Sequence, residues 1–270
     1  MAYNYEYGFI GTGNMGSALA AAVAGGSPDS RIILSNRTAE KAERLAEAFD
    51  CTAGDNITAA RESKYVVLGV KPQMLPELSE EIRDAFSENE GGVLVTMAAG
   101  ISTAKLGGMF GGEVPVIRIM PNTPVSIGAG VVLTCRNSLV SDEDYASFRG
   151  DLSLAGAVLD IPEEMIDKAS VVSGCGPAYF FMFMEYMADA AVDLGIDRET
   201  ALELVLNTGA GSAALALSSP ETLGRLRKNV CSPGGSTIEG VKAFDEAGLE
   251  EAVNGALSAA YRRTLELGKG

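Results

Sequence analysis

Near the end of the chain, Pro233, Gly234 and Gly235 stand in a row, followed by the hydroxyls of Ser236 and Thr237. The run interrupts a region whose composition is otherwise helix-forming. A plain interhelical turn accounts for the proline and one glycine, but not for the second glycine or the neighbouring hydroxyls. If one helix ends there and the next begins at about Thr237, free backbone N–H groups and the positive end of a helix dipole are left exposed. Such an end is an anion site, suited to a small carboxylate.

A second chemistry-bearing run lies near the start. GFIGTGNMG sets Gly11, Gly13 and Gly16 in GxGxxG spacing, after an apolar run and before a helical pattern. The first glycine makes the tight turn, the second admits a pyrophosphate against the backbone, and the third lets helix and strand pack closely. The spacing alone discriminates little, and an ordinary glycine-rich turn is the alternative. Its place between a strand and a helix, at the head of a β-α series, predicts a dinucleotide-binding loop.

The next strand end bears on which dinucleotide. RIILS runs into Asn36, Arg37 and Thr38, where an NAD site would usually carry Asp or Glu. A carboxylate there accepts from the ribose 2′-hydroxyl and repels a 2′-phosphate, whereas Arg37 supplies charge and donors to that phosphate. NADP is therefore favoured over NAD, the alternative being an arginine that merely begins a helix at the surface. Further strand ends add Gly69, Val70, Lys71 and Pro72, then Ala98 and Ala99, whose small side chains would let a nicotinamide ribose lie close. Lys71 beside Pro72 is not assigned as a base.

Histidine is absent, which removes the usual general acid–base and the commonest metal ligand. Chemistry must then use hydroxyls, carboxylates, lysines or a cofactor. The four cysteines, Cys51, Cys135, Cys175 and Cys231, are widely spaced and form no CxxC pair. They suggest neither a metal site nor a disulfide scaffold, and they fit a reducing cytoplasm.

The elements that must position these residues follow from pattern. Tyr7–Ile10, Arg31–Ser35, Tyr65–Val70, Gly92–Met97 and Val114–Met120 are short, β-branched and apolar on both faces, as buried parallel strands are. Helical patterns fall between them at Met15–Ala24, Ala39–Phe49 and Pro72–Phe86, so a doubly wound parallel sheet of Rossmann type is expected. Gly128–Thr134 and Gly156–Ile161 read as further strands at one edge. After Pro162 the strand signals stop, and Pro177–Leu194, Arg198–Leu217, Thr222–Lys228 and Leu249–Glu266 read as helices, one of them capped by Asp197 and another opened by Pro220. The expected division is an α/β domain over residues 1–161 and an all-helical domain over 162–270.

Composition narrows the partners. The 270-residue chain is 47% apolar and carries a formal net charge of −15, which supports a sizeable core and disfavours binding to a phosphate backbone. PAYFFMFMEYMADAAV contains Glu185 and Asp189, which argues against a membrane span. The start MAYNYEYGFIG lacks the basic segment of a secretory signal. The helix opening at Pro177 is too continuously aromatic and methionine-rich for one face of a surface helix. It reads as a central core helix and as a buried subunit interface, since one helix can serve each role on different faces.

Taken together, GFIGTGNMG, SNRT, GVKPQ, AAGI, R-I-MPNTP, SGCGPAY and VCSPGGSTIEG resemble the pyrroline-5-carboxylate reductase family in order and spacing, over nearly the whole chain. MPNTP, SGCGPAY and the SPGGST run are the specific ones. The resemblance implies a Rossmann domain followed by a helical dimerisation domain, hence a homodimer with room for a higher homo-oligomer. It implies reduction of (S)-1-pyrroline-5-carboxylate to L-proline by hydride from NADPH or NADH, at a CH–NH bond and without a metal. By the same resemblance Ile10, Gly11, Thr12, Gly13, Asn14, Met15, Asn36, Asn56, Gly69 to Pro72, Ala98 and Ala99 contact the dinucleotide. Glu163 lies near the substrate ring and Asn229 by cofactor and substrate. Gly234, Gly235 and Ser236 hold the carboxylate, and Thr237 hydrogen-bonds the ring nitrogen as the catalytic hydroxyl.

Two residues depart from the family pattern: Cys175 stands where serine is usual, and Ser236 where threonine is common. No histidine exists to activate a thiol at Cys175. The chemistry tolerates that absence, because a basic imine arrives partly protonated and needs orientation more than a strong acid. A β-hydroxyacid dehydrogenase would need a lysine base in a helix motif this chain lacks. A non-catalytic NADP sensor would leave the hydroxyls at Ser236 and Thr237 unexplained.

Overall fold

Eight strands form one mixed sheet in the computed structural model, which describes residues 3–26 and 31–268. The chain runs β1 (Tyr5–Ile10), α1 (Asn14–Gly26), β2 (Ile32–Ser35), α2 (Ala39–Phe49), β3 (Thr52–Ala53), α3 (Asn56–Glu62) and β4 (Ser63–Leu68). It continues through α4 (Leu75–Ser87), β5 (Val93–Thr96), α5 (Thr103–Met109), β6 (Val116–Pro121), β7 (Gly130–Arg136), α6 (Asp142–Asp151), β8 (Gly156–Asp160) and α7 (Glu163–Ser173). Sheet order is β3-β2-β1-β4-β5-β6-β7-β8, and only the β6–β7 pair is antiparallel. The expected parallel sheet is thus parallel through β6. A short 3₁₀ turn at Thr123–Ile127, closed by Gly128 at φ +71°, carries the chain into β7. So short a link can join antiparallel neighbours, whereas a parallel crossover needs a helix.

Strand alternation sorts the apolar side chains onto the two faces. Tyr7, Phe9, Leu34, Tyr65, Val67, Val95 and Ile117 pack on one side with Leu19 and Val23 of α1 and Phe148 of α6. Ile10, Ile33, Val66, Leu68, Leu94 and Val116 pack on the other with Ala59 and Ala60 of α3, Leu78 and Ile82 of α4, and Leu106 of α5. Each fully buried aliphatic side chain contributes roughly 1.5–3 kcal/mol, so both helical layers are tied firmly to the sheet.

Four helices lie where none was expected: α3, α5, α6 and α7. The first two have seven residues each, and α5 carries two adjacent glycines, so periodicity is faint. Three of the four starts are nevertheless capped: Asp55, Ser102 and Ser141 each accept from the backbone N–H three residues on, and only α7 lacks such a cap. Strand β3 is two residues long and exposed, too short to show a pattern.

The chain divides at Cys175. Through Cys175 it belongs with the sheet, and α7 packs there through Ile166 against Leu133 and Cys135. The second unit, Gly176–Ala260, holds α8 (Gly176–Asp193), α9 (Arg198–Ser218), α10 (Leu223–Val230), α11 (Ser236–Glu246) and the first part of α12 (Leu249–Gly268). Asp197 caps α9 as expected, and Thr222 caps α10 just beyond Pro220.

This second unit buries little of its own apolar surface. Ala188, Ala201 and Val205 form its small core, while Phe180, Phe181 and Tyr186 are 66%, 63% and 60% exposed. Helix α8 thus gives one face, with Ala188, to that core and leaves its aromatics uncovered on another. Uncovered aromatics on this scale mark an interaction surface. Among the described residues one helix, α9, is long and apolar enough to cross a membrane, with mean hydropathy 1.2.

Candidate active site

The strand order reverses between β1 and β4, and the glycine loop sits at the carboxyl end of that pair, where ligands of open α/β sheets bind. Gly11 has φ +94° and donates its N–H to Ser35 O at 2.9 Å. The Gly69 N–H donates to Ile10 O at 2.8 Å, bringing the two strand ends into contact. A Cβ at Gly69 would stand 2.2 Å from the Gly11 carbonyl oxygen, and one at Gly16 would stand 2.3 Å from the same atom. A Cβ at Gly13, by contrast, would meet nothing within 4 Å. Gly11, Gly16 and Gly69 are thus glycines for the chain's own packing, whereas the space around Gly13 is open.

The residues fit a dinucleotide on a further observation. Thr12 is fully buried, and its Oγ1 has no hydrogen-bond partner among the described residues. An orphaned hydroxyl next to the opening at Gly13 is what an absent polar ligand would leave. Helix α1 begins at Asn14, so its first N–H groups face the loop, and half-buried Met15 packs on the core behind it.

The residues expected at the cofactor's ribose come from three elements. Asn36 is half-buried, and Arg37 and Thr38 are exposed at the end of β2. Arg37 makes no ion pair or hydrogen bond among the described residues, so its guanidinium is free for a phosphate. Asn56 is held by Ser35, whose hydroxyl donates to its Oδ1 at 2.6 Å. Asn56 Nδ2 in turn donates to Glu81 at 2.9 and 3.1 Å. Past β4, exposed Lys71 precedes the 3₁₀ turn Pro72–Met74, and half-buried Val70 lies against Gly11. After β5, buried Ala98 donates its N–H to Thr96 Oγ1 at 3.2 Å, and Ala99 is half-buried.

Glu163 opens α7 and is fixed from α5: Thr103 donates its N–H to Oε1 at 2.6 Å and its hydroxyl to Oε2 at 2.8 Å. Beneath it lies Arg118 of β6, 2% exposed, bonded to Asp167 Oδ1 and 3.9 Å from Glu163 Oε1. Neither Thr103 nor Asp167 was singled out from sequence. Arg118 did leave a signal there, a lone charge inside the apolar strand VPVIRIM. Cys135 pairs with Arg118 across β6 and β7, and its thiol is pushed up to about 12 by burial and by the nearby Glu163 charge. It is an inert, packed thiol. Asn122 of MPNTP is structural: its Nδ2 donates to Ser173 O at 2.9 Å and its Oδ1 accepts from the Val131 N–H at 2.8 Å.

In the helical unit the SPGGST run does end one helix region and start another. Gly234 has φ +72°, Gly235 occupies the N-cap, and α11 begins at Ser236 without a side-chain cap. Only glycine takes such a φ at no steric cost. Ser236 and Thr237 are exposed in the first turn, beside backbone N–H groups that no side chain caps. Asn229, in the last turn of α10, is exposed and donates to Glu221 at 2.8 Å. Cys175, half-buried, follows α7 with its N–H on Ser170 O at 3.1 Å.

The chain is similar to known proteins along its whole length. Residues 163–267 match the family model of pyrroline-5-carboxylate reductase dimerisation. Residues 6–100 match that of coenzyme F420-dependent NADP oxidoreductases. The chain is 38% identical to the pyrroline-5-carboxylate reductase of Pseudomonas aeruginosa, over 96% of itself and 95% of that protein. It is 35% identical to the Escherichia coli K12 enzyme, over 98% of each. Among solved structures, a pyrroline-5-carboxylate reductase from Coxiella burnetii superposes with a TM-score of 0.91 at 32% identity, over 98% of this chain and 99% of that one. A Plasmodium falciparum pyrroline carboxylate reductase with NADP bound gives 0.87 at 29% identity, over 99% and 100%.

Proposed function

The chain belongs to the pyrroline-5-carboxylate reductase family, and on that premise we propose how its residues divide the work of reducing (S)-1-pyrroline-5-carboxylate to L-proline. It is an NAD(P)H-dependent oxidoreductase whose cofactor, NADP(H), supplies the hydride when bound.

Residues 1–161 hold the dinucleotide. Ile10 through Met15 take the pyrophosphate, Asn36, Arg37, Thr38 and Asn56 the ribose and its 2′-phosphate, and Gly69 to Pro72 with Ala98 and Ala99 line the rest. Residues 162–270 hold the substrate and dimerise. The uncapped N–H groups after Gly234 and Gly235, with the Ser236 hydroxyl, bind the carboxylate, and Thr237 orients the protonated ring nitrogen. Glu163 supplies a fixed carboxylate for the cationic ring, and Asn229 serves cofactor and substrate. The observation that carries this reading is the start of α11, where glycine conformation, free N–H groups and two exposed hydroxyls coincide. Orientation and hydrogen bonding suffice here, since protonation of the imine already makes its carbon electrophilic.

The uncovered aromatics of α8 and the apolar length of α9 belong to a homodimer interface, which also accounts for α9 without a membrane. The family model matched over these helices is a dimerisation model, which supports that assignment. A cytoplasmic enzyme suits the four free thiols. NADPH absorbance tests the reading: it should fall with pyrroline-5-carboxylate and should not rise with a 2-hydroxy acid and NADP⁺. Turnover of the hydroxy acid alone would overturn it. A single-chain mass of 28.0 kDa in sedimentation at micromolar concentration would remove the homodimer.

A further inference from the structure

The end of β2 carries no acidic side chain of its own, yet the fold delivers one from α4. Ser35, the last residue of β2 and 3% exposed, donates to Asn56 Oδ1, and Asn56 Nδ2 donates to both oxygens of Glu81. The carboxylate can only accept, so Asn56 Nδ2 must face Glu81 and Oδ1 must face Ser35. Glu81 forms no ion pair among the described residues, although it is exposed. The neighbouring carboxylate, Asp55, is already committed to the start of α3, accepting from the Thr58 N–H at 2.7 Å and the Thr58 hydroxyl at 3.2 Å. Arg37 is likewise unpaired. Among the described residues, Arg37 and Glu81 are thus a cation and an anion without an ion pair at the expected ribose end.

We propose that Glu81 is a specificity-determining residue at the cofactor's ribose, where its charge, held in place through Asn56, opposes the 2′-phosphate that Arg37 attracts. In a site for NAD the opposing carboxylate stands at the end of the second strand. Here it arrives from a helix, one amide removed. Both charges are exposed, so each is screened to a similar degree and neither cancels the other outright. The result is a site that takes NADPH while leaving NADH usable. The inference rests on the reading of Asn36, Arg37, Thr38 and Asn56 as ribose contacts.

The test uses full-length enzyme and two probes differing only in the phosphate, adenosine 2′,5′-bisphosphate and 5′-AMP, titrated calorimetrically. Glu81→Gln keeps an acceptor for Asn56 and removes the charge. The bisphosphate-over-AMP affinity ratio should rise about three- to tenfold, as for one like charge removed near a surface phosphate, and the gain should shrink as salt is raised. Glu81→Lys should move the ratio further in the same direction, and the NADPH-over-NADH ratio of kcat/KM should follow. An unchanged ratio in both variants, or equal changes for both probes, overturns the proposal. Arg37→Ala separates the two levels. If it lowers the ratio while the Glu81 variants do nothing, the role of Glu81 fails and the ribose reading stands. If none of the three moves the ratio, the ribose reading fails and the proposal falls with it.

Discussion

Thr103 and Glu163 are 60 residues apart in sequence, yet Thr103 gives both its N–H and its hydroxyl to the two oxygens of the Glu163 carboxylate. The pair pins the first turn of α7 to the first turn of α5. Thr103→Val keeps the shape and the N–H bond and deletes the hydroxyl. Because Glu163 is partly solvated, the cost in stability should be about 1 kcal/mol, read as a lowered urea midpoint. If the fixed carboxylate serves the substrate ring, kcat/KM for the imine should fall with it, and Thr103→Ser should restore both. A stable Thr103→Val enzyme with unaltered kinetics would remove Glu163 orientation from catalysis.

Gly13 and Gly69 make a matched test of the glycine loop. Gly69→Ala forces a Cβ to within 2.2 Å of backbone oxygen, whereas Gly13→Ala adds a Cβ that meets no atom of the chain. The first should cost about 1–3 kcal/mol of stability, by overpacking, and cofactor affinity with it. The second should leave the melting temperature where it is and weaken dinucleotide binding alone. Calorimetric titration of NADP⁺ beside thermal unfolding reads both. Equal stability losses in the two variants would contradict the assignment of open space at Gly13.

Thr237 is exposed, in the first turn of α11. Thr237→Ala should therefore leave folding intact while kcat/KM drops about tenfold or more, the loss of one hydrogen bond to a partly charged group, ~1.5–3 kcal/mol. Steady-state kinetics equal to the parent enzyme would take Thr237 out of the mechanism.

Alkaline pH should unfold the sheet domain progressively. Burial pushes the Tyr65 phenol from an ordinary 10.0 up to about 12, and burial with the nearby Glu163 charge pushes the Cys135 thiol from 9.0 to about 12. Tyr7 is raised in the same direction, by burial and by its hydrogen bond to Asp151. For each, the unfolded chain releases its proton at lower pH than the folded one. The stabilising contribution is whole below the unfolded value and is lost as pH climbs toward the folded one. Tyr65 alone accounts for about 2–3 kcal/mol across that window. The denaturant midpoint should fall steadily between about pH 9 and 12, with the buried tyrosinate absorbance appearing only on unfolding. A flat midpoint over that range would refute the burial argument.

Much of this protein was legible in the order of its residues. Short apolar runs marked seven of the eight strands, most of them because a strand buried on both faces must be apolar throughout. The glycine loop and the SPGGST run were legible because a turn with positive φ, or a backbone exposed to a ligand, constrains residue type at neighbouring positions. The weak elements α3, α5 and α6 carry their information in single caps rather than periodicity, and were missed.

Tertiary structure alone decided what meets across long separations. It turned β7 antiparallel, set Arg118 against Asp167, tied Thr103 to Glu163, and brought Glu81 through Asn56 to Ser35. It also showed that α8 leaves its aromatics uncovered while Ala188 packs in the small core of its unit. The physical reason is common to all of these. Propensity and turn chemistry act over a few residues, whereas pairing of charges, amides and strand edges depends on which segments the packed sheet makes neighbours.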